Sequence, residues 1–221
     1  MKLFAYDHCP FCVKVRMILG IKKIDYDLII LQHNDESTPI SMIGCKMVPI
    51  LEIEPGKYLS ESLDIIFYID NSFGHQIITS HPEQQEYAAI AKRLNKATMK
   101  LAFPRWVSAP LKEFETEDAR QYYIEKKEQL FGVFSELLAK TNELLDEVHL
   151  QLKLIGPFIQ HQSAVHGNLT IDDFNLFSTL RSLSIVRGVS YPQEVEIYRQ
   201  TMSEITGVLL HDKLYQNEGI L

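Results

Sequence analysis

The spacing of apolar residues changes character once along this 221-residue chain, near position 75. Before that point, short apolar runs with strand character alternate with helically spaced ones; after it only the helical period persists. Residues 2–6 read as a first strand. Val13, Val15, Met17, Ile18 and Leu19 follow with helical spacing, with Gly20 as the expected stop. Residues 26–31 are a β-rich run, followed by a polar stretch and a short helical segment over 39–43 that Gly44 ends. Residues 50–53 and 58–60 flank Glu54-Pro55-Gly56-Lys57, a tight-turn sequence that predicts an antiparallel hairpin. Leu63, Ile65, Ile66, Tyr68 and Ile69 then form a helical stripe before Gly74. The predicted order, β-α-β-α-β-β-α, is that of a thioredoxin-like domain.

Residues 75–82 are polar and unpatterned and serve as the expected linker. Helices are expected over 83–101, 117–141, 142–154, 171–187 and 193–208, with no convincing strand among them. The start of the fourth is marked by a capping box, Thr170 with Asp173 three residues on. The expected class is therefore α/β plus all-α: a thioredoxin-like domain over 1–74 and an all-helical domain over 83–221.

A hydrophobic content of 46% suffices for a sizeable core in two modest domains. A net charge of −7 gives no footprint for nucleic acid. No apolar stretch approaches the roughly 18 residues that span a bilayer. Three cysteines, an odd number, with a first strand beginning at residue 2, argue for a reducing compartment and against a secreted disulfide framework. A cytoplasmic protein is expected.

Two of those cysteines form Cys9-Pro10-Phe11-Cys12, directly after the first strand. A helix starting there would stabilise a negative sulfur at Cys9 through its free N–H groups and dipole, with Cys12 one turn deeper. Cys9 is then the expected thiolate and Cys12 the resolving thiol. Pro10 suits the first helical position, where its missing donor has no partner to lose. A zinc site would need a second ligand pair; no second C-x-x-C exists, and His161 and His166 have no flanking cysteine. No metal is expected. Lys14, Arg16, Lys22 and Lys23 are the basic residues near the thiols, and no motif fixes a role for any of them.

Two further segments are candidates for choosing a substrate. In Val48-Pro49 the proline removes a donor from a strand edge, and a cis bond would turn the Val48 backbone outward to pair with an extended ligand; spacing alone reads Pro49 as a strand-start proline. Glu61-Ser62 begins the last helix of the first domain, where a hydroxyl and free N–H groups suit a carboxylate, though a plain N-cap explains the pair equally simply.

Cys9-Pro10-Phe11-Cys12, Met47-Val48-Pro49 and Glu61-Ser62-Leu63-Asp64 stand in the order and spacing shared by glutaredoxins and the first domains of glutathione transferases. The helical remainder, with Thr170-Ile171-Asp172-Asp173, resembles the second domain of the transferases. Tyr6-Asp7-His8, Leu101-Ala102-Phe103-Pro104-Arg105 and Lys126-Lys127-Glu128 extend the match across essentially the whole chain, which resembles the long, transferase-like glutaredoxin 2 family. The resemblance implies a glutathione-dependent thiol-disulfide oxidoreductase. Glutathione is its co-substrate and reductant, and no cofactor is tightly bound. The partners implied are glutathionylated or disulfide-bonded proteins and, through the glutathione pool, glutathione reductase.

By the same resemblance Cys9 forms the mixed disulfide and Pro10 and Phe11 lie against glutathione. Val48 pairs with the cysteinyl unit beside a cis Pro49, Glu61 and Ser62 hold the γ-glutamyl end, and the protein is a monomer. Phe11 stands where many glutaredoxins have tyrosine, and Cys45 is outside the pattern. The alternatives are a thiol-type glutathione transferase or dehydroascorbate reductase, against which the retained Cys12 counts, and a membrane-inserting module of the chloride intracellular channel type. In many transferases a tyrosine placed like Tyr6 activates glutathione; here Cys9 occupies the helix start and packing is the expected role of Tyr6. Met99, Phe103 and Trp106 are expected as core, with a possible second use as one wall of the site.

Overall fold

A computed structural model describes residues 1–215; the end of the expected helical domain, 216–221, lies outside the described residues. The chain runs β1 (Lys2–Ala5), α1 (Pro10–Ile21), β2 (Asp27–Ile30), α2 (Ser37–Ile43), β3 (Ile50–Glu54), β4 (Lys57–Ser60) and α3 (Ser62–Ser72). Helices follow: α4 (Gln85–Trp106), α5 (Glu117–Phe131), α6 (Phe134–Ala139), α7 (Thr141–Ile155), α8 (Ile171–Leu183) and α9 (Gln193–Thr206), with short 3₁₀ turns at Lys112–Phe114, Gly156–Phe158 and His211–Tyr215. A thioredoxin-like domain is thus followed by a helical one, as the periodicity predicts. Among the described residues no helix is long and apolar enough to cross a membrane.

The sheet has the order β2-β1-β3-β4, with β1 parallel to β2 and antiparallel to β3. The parallel pair requires a crossover, which α1 supplies. The β3–β4 hairpin turns through Gly56, whose φ of +77° favours glycine, and the Glu52 carboxylate accepts the Gly56 N–H at 3.1 Å. This topology delivers the end of β1, the start of β3 and the start of α3 to the same edge of the domain.

Several boundaries differ from expectation for identifiable reasons. Helix α1 runs past Gly20 to Ile21. Gly20 does not stop the helix; a Cβ there would lie 1.8 Å from the Thr206 carbonyl oxygen, so glycine permits α1 and the end of α9 to meet at backbone distance. The expected helix over 117–141 is two, because Gly132 (φ +98°) turns the chain and the Glu128 carboxylate accepts the Phe134 N–H at 2.7 Å where α6 begins. Helix α4 continues beyond residue 101 through Pro104 to Trp106. The proline forfeits one backbone bond, and the buried side chains of Phe103 and Trp106 compensate. Helix α8 stops at Leu183 rather than 187, where the Ser184 hydroxyl donates to the Arg181 carbonyl at 2.6 Å and accepts the His211 N–H at 2.8 Å. The capping box forms: the Thr170 N–H donates to Asp173 Oδ2 at 2.8 Å.

Polar contacts join the two halves. Lys22 donates to Asp70 Oδ1 and to the carbonyls of Asp70, Phe73 and His75, all within 2.9 Å, so the end of α1 anchors the connecting segment. On the opposite side Arg181 of α8, 2% exposed, donates to Asp7 Oδ2 at 2.8 Å and to the Asp7 carbonyl at 2.5 Å, while Arg16 binds Oδ1 at 2.7 Å and His211 lies 3.0 Å from Oδ2. Asp7 sits on the turn between β1 and α1. These bonds hold its carboxyl far below the carboxylate range, although burial opposes them.

Two predictions follow from this packing. Gly20→Ala should destabilise the protein by about 1–3 kcal/mol, read as a lower urea midpoint with an unchanged slope. The second concerns pH. Burial, aided by the Arg181 charge, brings His211 down to about 4, with Asp7 opposing; unfolded histidine titrates near about 6.5. As pH falls, the unfolded chain takes up this proton first, so His211 should cost about 1.4 kcal/mol of stability per pH unit between roughly 6.5 and 4. Urea midpoints across that window should fall with pH, and His211→Gln should flatten the fall.

Candidate active site

Cys9 is the N-cap of α1, with extended backbone (φ −67°, ψ 119°), and its carbonyl takes the Val13 N–H at 3.0 Å. Pro10 occupies the first helical position, as expected. Both thiols are buried, Cys12 completely, whereas Cys45 is exposed. Their environments drive them apart. The neighbouring Cys12 thiol, the His8 charge and the backbone N–H groups of Cys12 and Phe11 bring Cys9 down to about 6 against the cost of burial. Burial, followed by the adjacent Cys9, pushes Cys12 well above the ordinary thiol range. One sulfur is thus poised as a nucleophile near neutral pH and the other holds its proton.

Cys9 opens into a cavity of about 970 Å³ between the two halves of the chain. One wall comes from the first domain: Cys9, Pro10, Phe11, Val48, Pro49, Glu61 and Ser62. Every predicted site residue except the deeper Cys12 therefore faces one space. The Val48–Pro49 bond is cis. Glu61 is the N-cap of α3 in a strained conformation, φ +66° for a residue with a side chain, and Ser62 begins the helix. Phe11 is 54% exposed at the rim.

The facing wall belongs to the helical domain. Met99, Phe103 and Trp106 line it, and Phe103 and Trp106 are also core. Lys126 and Lys127 of α5 and Asn175 of α8 lie alongside. Of the four basic candidates near the thiols only Lys14 borders the cavity, donating to Asn175 Oδ1 at 2.6 Å. Arg16 and Lys22 are committed to Asp7 and Asp70, and Lys23 is exposed away from it. Tyr6 is buried against His33 with ring centroids 4.6 Å apart, and burial pushes its hydroxyl far above the ordinary range, so it holds its proton. Among the described residues no group of three or more His, Cys, Asp or Glu is placed to hold a metal.

A family model described as "Glutaredoxin 2, C terminal domain" matches residues 86–214, and one described as "Glutathione S-transferase, N-terminal domain" matches residues 3–77. The chain is 38% identical over 212 residues to Glutaredoxin 2 of Escherichia coli K12, covering 95% of this chain and 97% of that one. The chain belongs to the glutaredoxin 2 family. It is a glutathione-dependent thiol-disulfide oxidoreductase, and the transferase alternative is not favoured. The crystal structure of Glutaredoxin 2 from Salmonella typhimurium in complex with glutathione superposes with a TM-score of 0.93 at 41% identity, covering 96% of this chain and 97% of that chain. A glutathione transferase from Phanerochaete chrysosporium, at TM-score 0.73 and 12% identity over 92% and 96% of the two chains, shares the fold alone.

Several residues at or near this cavity have no role assigned from the sequence. Asp7 and His8 appear only as parts of a matching tripeptide, and Glu113, which meets His8, lies 105 residues away. His33 and Lys46 also border the cavity, with the Lys46 ammonium donating to the His33 carbonyl at 2.7 Å and lying 3.6 Å from the Tyr122 ring centroid. None of these stands in a local pattern; a search for polar residues flanking the C-x-x-C motif would have found Asp7 and His8 only.

In a Cys45→Ser background the reduced protein should be alkylated by iodoacetamide at Cys9 with a rate that inflects near pH 6. Cys12→Ala, which removes the largest stabilising contact, should move that inflection toward the ordinary thiol value of about 8.5.

Proposed function

We propose that Cys9 is the nucleophile for glutathione mixed disulfides, and that the first-domain wall of the cavity is the glutathione seat. The reading is carried by the position of the acidic Cys9 sulfur, at a helix N-terminus on the same wall as Val48, Pro49, Glu61 and Ser62. Glutathione in the Salmonella relative supports it. The Val48 backbone, beside the cis bond, suits the cysteinyl unit as one strand of a short pairing. The γ-glutamyl carboxylate suits the N-terminus of α3 at Ser62, and its ammonium suits the Glu61 carboxylate. Pro10 and Phe11 border the reacting sulfur.

The Cys9 thiolate attacks the glutathione sulfur of a mixed disulfide. A Cys9–glutathione disulfide forms, and the partner leaves as a thiolate that takes a proton from solvent. A second glutathione thiolate then attacks the glutathione sulfur held on Cys9, giving oxidised glutathione and the free Cys9 thiolate. Alternatively Cys12, on losing its proton, attacks Cys9 and releases reduced glutathione, leaving the Cys9–Cys12 disulfide for two further glutathiones to reduce. Substrates of this reading are glutathionylated and disulfide-bonded proteins in the cytoplasm, glutathione reductase regenerates the reductant, and the protein works as a monomer.

The test is turnover of the hydroxyethyl disulfide–glutathione mixed disulfide, coupled to glutathione reductase. Wild type should turn over, Cys9→Ser should lose activity by at least a thousandfold, and Cys12→Ser should keep a substantial fraction of it. An active Cys9→Ser variant would refute the assignment.

A further inference from the structure

The residue immediately before the nucleophile is held by the other domain. His8 is 5% exposed, and Glu113, on the 3₁₀ turn between α4 and α5, is fully buried. Glu113 Oε1 accepts the His8 backbone N–H at 2.9 Å and lies 2.7 Å from His8 Nδ1. One carboxylate oxygen thus fixes both main chain and ring, and requires Nδ1 to carry a proton; His8 also borders the cavity.

The surroundings make this contact strong. The His8 ring packs among Tyr6, His33, Trp106, Phe114 and Tyr123, with centroids 4.9–5.8 Å away. In such a dry aromatic box a carboxylate needs hydrogen-bond donors, and the His8 main chain and ring supply them. The bonds from His8 hold Glu113 below the carboxylate range although burial pushes it up. The His8 charge is in turn among the influences that lower the Cys9 thiol.

We infer that Glu113 is a positioning residue for the thiol chemistry: through its paired bonds to His8 it keeps the imidazole oriented beside Cys9, so that the helical domain sets the reactivity of a nucleophile it does not carry. The inference rests on Cys9 as the nucleophile and not on where glutathione sits. The sign of the effect follows from the influence of His8, which lowers the Cys9 thiol. Other groups also face this sulfur and ring. They are Cys12 and Lys14 of α1, Tyr6 and Asp7 at the end of β1, His33 after β2, Tyr123 and Lys127 of α5, and His211 of the last 3₁₀ turn; a substitution at Glu113 removes none of them, though Glu113 also helps to raise the Tyr123 hydroxyl.

The test is the iodoacetamide rate of Cys9 against pH in the full chain, without glutathione, comparing Glu113→Gln, His8→Gln and the double variant in the Cys45→Ser background. Glu113→Gln keeps the shape and the acceptor but removes the charge. Its inflection should rise by about one pH unit, which makes alkylation at pH 6 about five-fold slower and leaves the rate at pH 9 unchanged. His8→Gln should do the same, and the double variant should match the larger single effect. A folded Glu113→Gln protein with an unshifted inflection overturns the inference, as does an additive double variant, which would mean that Glu113 acts other than through His8. If Glu113→Gln fails to fold, His8→Gln decides: an unshifted inflection overturns the inference and a raised one supports it.

Discussion

A guanidinium buried in the helical domain organises this molecule. Arg181 is almost wholly out of water, and a charge so placed must be paired or the fold pays several kcal/mol for it. Its partner is Asp7, two residues before Cys9, and the Asp7 carboxylate is shared with Arg16 and His211. The turn leading to Cys9 is therefore held by α8 as well as by the strand and helix that flank it. The need to neutralise one buried cation fixes where the two domains meet, and the cavity above Cys9 is the space left between them.

The same arrangement explains how the chemistry of a short motif is adjusted from far away in sequence. A C-x-x-C at a helix start needs only local geometry to favour one thiolate, and the difference between Cys9 and Cys12 begins there. The second domain adds a wall of aromatic and basic side chains and supplies the carboxylate that meets His8. Glutaredoxin chemistry on a transferase-like frame is thus more than a redox domain with an appended shield.

Much of this was legible in the residues because it is local. The strand-helix alternation, the Pro55-Gly56 turn, Pro10 at the helix start and the Thr170–Asp173 box each follow from preferences acting over a few positions, and the structure has each of them. What was not legible depends on distant pairs. Gly20 reads as a helix stop until the Thr206 carbonyl is known to lie against it. Lys22 reads as a solvated charge beside the thiols, yet its ammonium is consumed by Asp70 and three carbonyl groups. Glu113 sits in an unremarkable turn, and nothing near it announces the histidine it meets. Gly132 interrupts a helical stripe whose period continues on both sides, so periodicity alone joins what the backbone separates.

The crossing of α1 and α9 at Gly20 also bears on how such a sequence can drift. Most interface positions tolerate exchange among residues of similar bulk because neighbours repack, but a main-chain oxygen 1.8 Å from where a Cβ would stand leaves nothing to repack. Descendants that keep this seam must inherit the glycine. A lineage that loses it has to re-space two helices, and with them the cleft above the sulfur, in a single step.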